Sequence, residues 1–229
     1  MKTIEIKNIY GDVLFSHTAE NNSIKITVEE AVKMNVRLTL ADLAGADLAW
    51  ADLAGANLES ANLESANLSW ADLADANHKE ANLKEANLKG AFLEGADLTE
   101  ADITGANINW ANLNGAKNIP YIPLSCPSEG AFIGWKKVEW KYLVKIQIPE
   151  DARRSSATTR KCRCDKAMVL DITSLDGEEH YDEVTNNNYK ETVYKVGEMV
   201  YPDSFDENRW NECSHGIHFF VNKQDAINY

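Results

Sequence analysis

The chain has 229 residues, enough for one large domain or two modest ones. Its 36 acidic side chains outnumber 23 basic ones, a net charge of -13, so its surface repels nucleic acid and anionic membrane and suits a basic partner. No apolar run approaches the roughly 18 residues that span a bilayer. Four cysteines in this length are not a disulfide scaffold, so the expectation is a cytoplasmic protein with reduced thiols.

The opening "MKTIEIKNIYGD" alternates apolar and polar residues and lacks the apolar stretch of a secretory signal. "IEIKNIY" and "VLFSHTA" flank Gly11-Asp12 and read as a hairpin. "TVEEAVKMN" reads as a short helix, with Thr27 as N-cap and Glu30 completing a capping box. Residues 1–35 thus form a hairpin-helix cap.

From Ala41 to Gly115 run fifteen consecutive pentads, each beginning with Ala. The third residue is Leu except at His78, Ile103 and Ile108; the second is Asp or Asn except at Phe92. "VRLTL", 36–40, fits as a degenerate pentad before them. Neither the 3.6-residue helix nor the 2-residue strand has this period. The block holds most of the negative charge: residues 36–116 carry 13 acids against 4 bases.

"ADLAGADLAWADLAGANLES" resembles the pentapeptide-repeat family. The resemblance implies a mainly β fold, a right-handed quadrilateral β-helix in which four pentads make one coil, with Ala and Leu pointing inward. Sixteen pentads give four coils over 36–119, about 19 Å tall at the spacing of paired strands. It also implies a non-catalytic interaction role; some members are held to mimic duplex DNA and bind DNA gyrase. The acidity here is compatible with that alternative, although 19 Å matches only about six base pairs.

A twenty-residue lap stacks residues into columns. The fifth positions of one column are Trp50, Trp70, Gly90 and Trp110, either an aromatic docking strip or a face covered by the chain's own segments. Glu59 and Glu64 sit one lap below Lys79 and Lys84 and read as cross-coil ion pairs. His78 replaces a core Leu and needs a hydrogen-bond partner unless it turns outward. Phe92 is expected to pack on a neighbouring segment.

Pro120, Pro123 and Pro127 mark the exit from the repeat. Beyond them, "AFIGWKKVEW", "KYLVKIQIP", "AMVLDITSL", "ETVYKVGEMVYP" and "HGIHFFVN" read as strands and "KQDAINY" as a helix with Asn222 as N-cap. Residues 120–229 therefore read as a β-rich α+β domain, with "PEDARRSSATTRK" and "DGEEHYDEVTNNN" as polar connections. The stretches "DARRSSATTRKCR", "YKVGE" and "FDENRWNECSHGIHFF" resemble an uncharacterised domain at the C-termini of bacterial and phage pentapeptide-repeat proteins.

Two candidate sites lie in this segment. Arg153, Arg154, Arg160, Lys161 and Arg163 stand beside four hydroxyls, a pattern that suits a phosphate, nucleotide or carboxylate; the competing readings are a solvated loop or a pairing with the acids of the repeat that docks the two domains. Cys162, Cys164, Cys213, His215 and His218, with Cys126 in reserve, are candidate zinc ligands; the competing reading is buried thiols and a structural His, with no cofactor. No nucleophile elbow, phosphate loop or zincin motif is present. The strand order echoes ADP-ribosyltransferase-like domains, which would require Tyr194, His218 and Glu198 or Glu212 to line one cleft. The combined reading is a scaffold with an acidic solenoid and a recognition head, its partner a basic or DNA-binding host protein.

Overall fold

The computed structural model describes residues 1–187 and 192–229. The first residue of the expected strand "ETVYKVGEMVYP", Glu191, and the end of the polar run before it lie outside these. The chain divides into two compact units, Met1–Ile122 and Pro123–Tyr229.

The repeat winds as a square β-helix. Parallel bridges join residues twenty apart, Asp42 to Asn62, Asp47 to Asn67, Asp52 to Asp72 and onward to Asp97 with Lys117. Inside the tube, Leu38, Leu48, Leu53, Leu58, Leu63, Leu68, Leu73 and Leu83 are fully buried, and the pentad alanines between them fill the alternate sites. The degenerate pentad joins this stack, since Leu38 N–H donates to Asn57 O at 2.9 Å. Among the third-position residues, Ile103 and Ile108 in the final coil are half-buried.

The backbone explains the period. In the pentad 61–65, Ala61 N–H closes a turn onto Leu58 O at 3.0 Å; Asn62 N–H reaches back to Ala41 O at 2.8 Å; Leu63 and Ser65 N–H reach forward to Asn82 O and Lys84 O, both at 2.8 Å. The fifth donor, Glu64 N–H, goes to the Asn62 side-chain oxygen at 3.3 Å. Every N–H of the pentad is satisfied, as a buried backbone demands. The second-position Asp or Asn is thus an Asx cap on the turn as well as a register device. Its amide also forms ladders: Asn67 Nδ2 donates to Asp47 at 2.9 Å, Asn87 to Asn67 at 3.1 Å and Asn107 to Asn87 at 3.2 Å.

Each fifth residue has positive φ, including Trp50 at 62°, Trp70 at 60°, Glu80 at 56° and Trp110 at 67°. The turn bond from first to preceding third residue, with positive φ at the second turn position, is a type II turn. A non-glycine residue there costs about 1–2 kcal/mol, offset by three inter-coil bonds per pentad.

The cap closes the N-terminal end. Strands β1 (Lys2–Lys7) and β2 (Val13–Ala19) form the expected hairpin. Helix α1 (Ile24–Lys33) begins one turn earlier than expected: Ser23, not Thr27, is the N-cap, accepting from Ile26 N–H at 3.2 Å. Thr27 is buried and its hydroxyl donates to Ser23 O at 2.9 Å, so no capping box forms. The first coil has no coil before it to accept its second-position donors. Lys7 O takes Asp42 N–H at 2.8 Å and Glu29 takes Asp52 N–H at 3.1 Å, as a solenoid cap must.

The second unit is built on an antiparallel sheet. Its strands are β3 (Phe132–Val138), β4 (Tyr142–Ile148), β5 (Arg154–Ser156), β6 (Lys161–Cys164), β7 (Ala167–Ser174), β8 (Glu183–Asn186), β9 (Thr192–Lys195), β10 (Met199–Val200) and β11 (Ile217–Phe220). Seven pair in the order β10-β7-β4-β3-β11-β6-β5, and β8 pairs with β9. Helix α2 (Lys223–Asn228) has the expected Asn222 cap, which accepts from Gln224 N–H at 2.8 Å. One sheet face carries Val144, Ile146, Cys162, Cys164, Val169 and Phe219 in the main core; the other packs Leu143 and Phe220 against Ala226 of α2. The stretches expected to be polar connections contain β5, β8 and the first residue of β6. "KCRC" forms a buried strand because its neighbours hydrogen-bond Lys161 and Arg163, which alternation of polarity does not reveal.

Candidate functional site

The tryptophan column forms one corner of the tube. Trp50 stacks on Trp70 with ring centroids 5.5 Å apart and planes 13° from parallel. Trp70 in turn lies over Gly90: a Cβ there would stand 2.5 Å from its ring. Gly90 is therefore the recess in the column that lets the indole lie flat. Trp50, Trp70 and Trp110 are 65, 38 and 54 % exposed, and Phe92, expected to be covered, is 47 % exposed. Phe92 follows Gly90 by two residues, so the fourth aromatic falls beside the gap in the column. Gly90→Ala is expected to displace Trp70 and to strain a φ of +68°. The measured result should be loss of the Trp50–Trp70 exciton signal in circular dichroism, with about 1 kcal/mol lower stability.

The expected charge pairs do not form; each lysine turns instead to a second-position acid eighteen residues on. Lys79 meets Asp97 at 3.6 Å and Lys84 meets Asp102 at 3.2 Å, while Glu59 and Glu64 accept from Asn77 and Asn82. Fourth-position side chains lean toward the next coil's second position rather than stacking on their own column. At these exposures each pair is worth at most about 1 kcal/mol. His78 points inward, fully buried, and neither ring nitrogen has a partner among the described residues.

The basic run is not a free anion patch. Arg153 bonds Asp165 and Glu207, each at 2.8 Å. Arg154 donates to the carbonyls of Pro127, Gly130, Pro149, Glu150 and Ala152. Arg160 pairs with Asp225 at 3.2 Å. Arg163, buried, holds His215 O at 3.0 Å and Asn208 O at 2.9 Å. Acids and carbonyls of the same unit, not the acids of the repeat, engage all four guanidinium groups.

The zinc set does not assemble. Among the described residues no three His, Cys, Asp or Glu side chains group to hold a metal. Cys162 and Cys164 do share a side, but that side is the core. Cys162 is pushed up by its hydrogen bond with Cys126 and by burial, and Cys164 is pushed up to about 12 by burial, which keeps both as thiols rather than the thiolates a metal needs. His215 turns to Asp203 at 3.3 Å and His218 to Ser214 O at 2.9 Å.

One cavity of about 970 Å³ opens in the second unit, walled by Lys136, Trp140, Lys161, Tyr194, His218 and Tyr229 among others. It lies where β3 and β11 part: they pair at Phe220–Trp135 alone. Past that point Lys136 Nζ donates to His218 O at 3.3 Å. Burial pushes Lys136 down to about 8 and His218 down to about 4, the latter helped by the nearby Lys136 and Lys161. Tyr194 and His218 do share this wall, but the acids proposed with them do not. Glu198 pairs with Lys195 at 2.6 Å and Glu212 bonds Thr159, so an ADP-ribosyltransferase-like triad is not formed. Lys136 and Trp140 escaped notice in the sequence. Lys136 occupies the same phase as Phe132, Gly134 and Val138, a cation on the apolar side of its strand, and that was the available signal.

A family model described as pentapeptide repeats matches residues 41–77 and 79–117. A second, described as a family of unknown function, DUF5758, matches residues 122–226. No curated protein matches the chain. Among solved structures, a pentapeptide repeat protein of the Arabidopsis thaliana thylakoid lumen is 33 % identical over 38 % of this chain and 59 % of its own, with a TM-score of 0.34. HetL, a pentapeptide repeat protein involved in heterocyst differentiation regulation in the cyanobacterium Nostoc, is 42 % identical over 33 % of this chain and 37 % of its own, with a TM-score of 0.27. The chain thus spans less than two thirds of either. No helix among the described residues is long and apolar enough to cross a membrane. The chain is a pentapeptide-repeat protein whose C-terminal domain belongs to this family of unknown function.

Proposed function

We propose that the protein is a non-catalytic interaction scaffold, and that its partner is a basic protein that docks on the Trp50–Trp70–Trp110 corner. The observation that carries this reading is the exposure of three tryptophans in one column, two of them stacked in advance. Rigid aromatics lose little entropy on binding and dominate interface energies. Around them the repeat carries 13 acids against 4 bases, and two of those bases are already paired with acids, so the surface field favours a cationic partner.

Immobilised full chain should retain a protein from host lysate in a salt-dependent manner. Trp50→Ala/Trp70→Ala/Trp110→Ala, with unchanged far-ultraviolet circular dichroism, should lose at least tenfold in retention, the effect of removing an interface anchor of about 2 kcal/mol. Equal retention by the folded triple variant overturns the aromatic docking site. If the retained protein is a DNA-binding enzyme such as gyrase and only salt releases it, the acidic surface acts alone, as a DNA mimic.

A further inference from the structure

The cavity between β3 and β11 has features that the fold alone does not require. Lys161 is 4 % exposed, yet its ammonium meets only uncharged groups, Cys213 Sγ and Tyr229 Oη, both at 3.3 Å. Lys136 meets a carbonyl and lies 6.0 Å from the Tyr194 ring. Among the described residues neither ammonium forms an ion pair, in a protein whose net charge is -13. A desolvated charge without a counter-charge is costly, and proteins remove such groups unless something compensates them. The two acids on the cavity wall are engaged elsewhere: Glu139 accepts Asn187 N–H at 2.7 Å, and Asp203 accepts from Ser204 N–H and faces His215.

We propose that this cavity binds a phosphorylated small molecule of nucleotide size, its phosphate between the ammonium groups of Lys136 and Lys161 and its planar part toward Trp140. Two uncompensated positive charges match a phosphate dianion better than a single carboxylate. The volume is at the upper end of small-molecule sites. Trp140 lines the same wall, 70 % exposed, with Lys137 Nζ 5.0 Å from its ring centre. His218 strengthens the match: burial and the two neighbouring ammonium groups keep it neutral near pH 7, so its imidazole remains a hydrogen-bonding group beside the phosphate. The site lies wholly in the second unit and does not depend on the aromatic corner of the first.

Calorimetry with the full chain tests this, using AMP, adenosine and inorganic phosphate as probes. AMP should bind at least tenfold more tightly than either adenosine or inorganic phosphate. Lys136→Met should cut AMP affinity at least tenfold, about 1.4 kcal/mol, while keeping or raising the melting temperature, because an apolar isostere removes a buried charge. A separate Lys161→Met variant, checked for folding by circular dichroism, should show the same loss. No binding of any probe at millimolar concentration overturns the site. Equal AMP affinity in folded Lys136→Met assigns that lysine to capping His218 O and overturns it as well. Equal affinity for AMP and inorganic phosphate overturns the nucleotide-sized ligand.

Discussion

His78→Leu is expected to stabilise the β-helix by about 2 kcal/mol at pH 7 and by more as the pH falls. The column through this position runs Leu38, Leu58, His78 and Leu98, all buried. Leu is close to imidazole in volume, so the substitution restores the repeat without overpacking. It also removes two ring nitrogens that are buried without partners, at a cost of about 1–3 kcal/mol for an unsatisfied group.

The acid dependence follows from the same burial. It lowers the folded-state pKa of His78 from 6.5 to about 4. Between those values the unfolded chain takes up the proton and the folded chain does not, so stability rises with pH across this window and is lost as pH falls through it. The stabilisation is complete above about pH 6.5, and about 3 kcal/mol of it is gone by pH 4. Denaturant unfolding of both proteins at pH 7 and pH 5 tests this: the gap between them should widen by about 2 kcal/mol at the lower pH. A gap that is constant with pH, or a destabilised Leu variant, would show that His78 has a partner in solution.

How far the sequence carries the reading depends on where each signal resides. The five-residue period was legible because it is a property of spacing; the twenty-residue lap and the inward Leu and Ala followed from the resemblance that this period carries. The second-position role was only half legible. Asp and Asn recur there, but their use as caps on the fourth-position N–H depends on a type II turn that spacing does not reveal. Side-chain direction was not legible either, so Lys79 and Lys84 were paired with the wrong acids. In the second unit, most strands rich in apolar residues were legible, but "ETVYKVGEMVYP", expected as one strand, breaks at the Val196–Gly197 turn into β9 and β10, which pair with different strands. The strand around Cys162 was hidden because Lys161 and Arg163 look like surface residues until Tyr229 and the carbonyls of Asn208 and His215 are brought to them. The zinc set failed to assemble, and the four arginines of the basic run turned to internal partners, for a shared reason: sequence places these residue types near one another, but only strand pairing decides which way they point.

Arg154→Ala is expected to destabilise the second unit by about 3 kcal/mol and to leave the β-helix transition unchanged. The guanidinium donates five hydrogen bonds, the shortest 2.8 Å to Glu150 O, and all five acceptors are backbone carbonyls. They belong to two segments, 127–130 leading into β3 and 149–152 leaving β4, and the Phe132 ring lies 5.3 Å beneath the group. One side chain on a sheet-edge strand therefore fixes the entry and exit of the central hairpin. Hydrogen bonds to a charged group are worth about 1.5–3 kcal/mol each before solvent exposure discounts them, so losing five is not fully offset by water reaching the freed carbonyls. Arg154→Lys should recover less than half, because an ammonium has three donors and no planar fork to span both segments. In urea, with each unit's transition followed separately, the second unit's midpoint should fall by about 2 M in the Ala variant. An unchanged midpoint would mean that the hairpin holds these segments without Arg154.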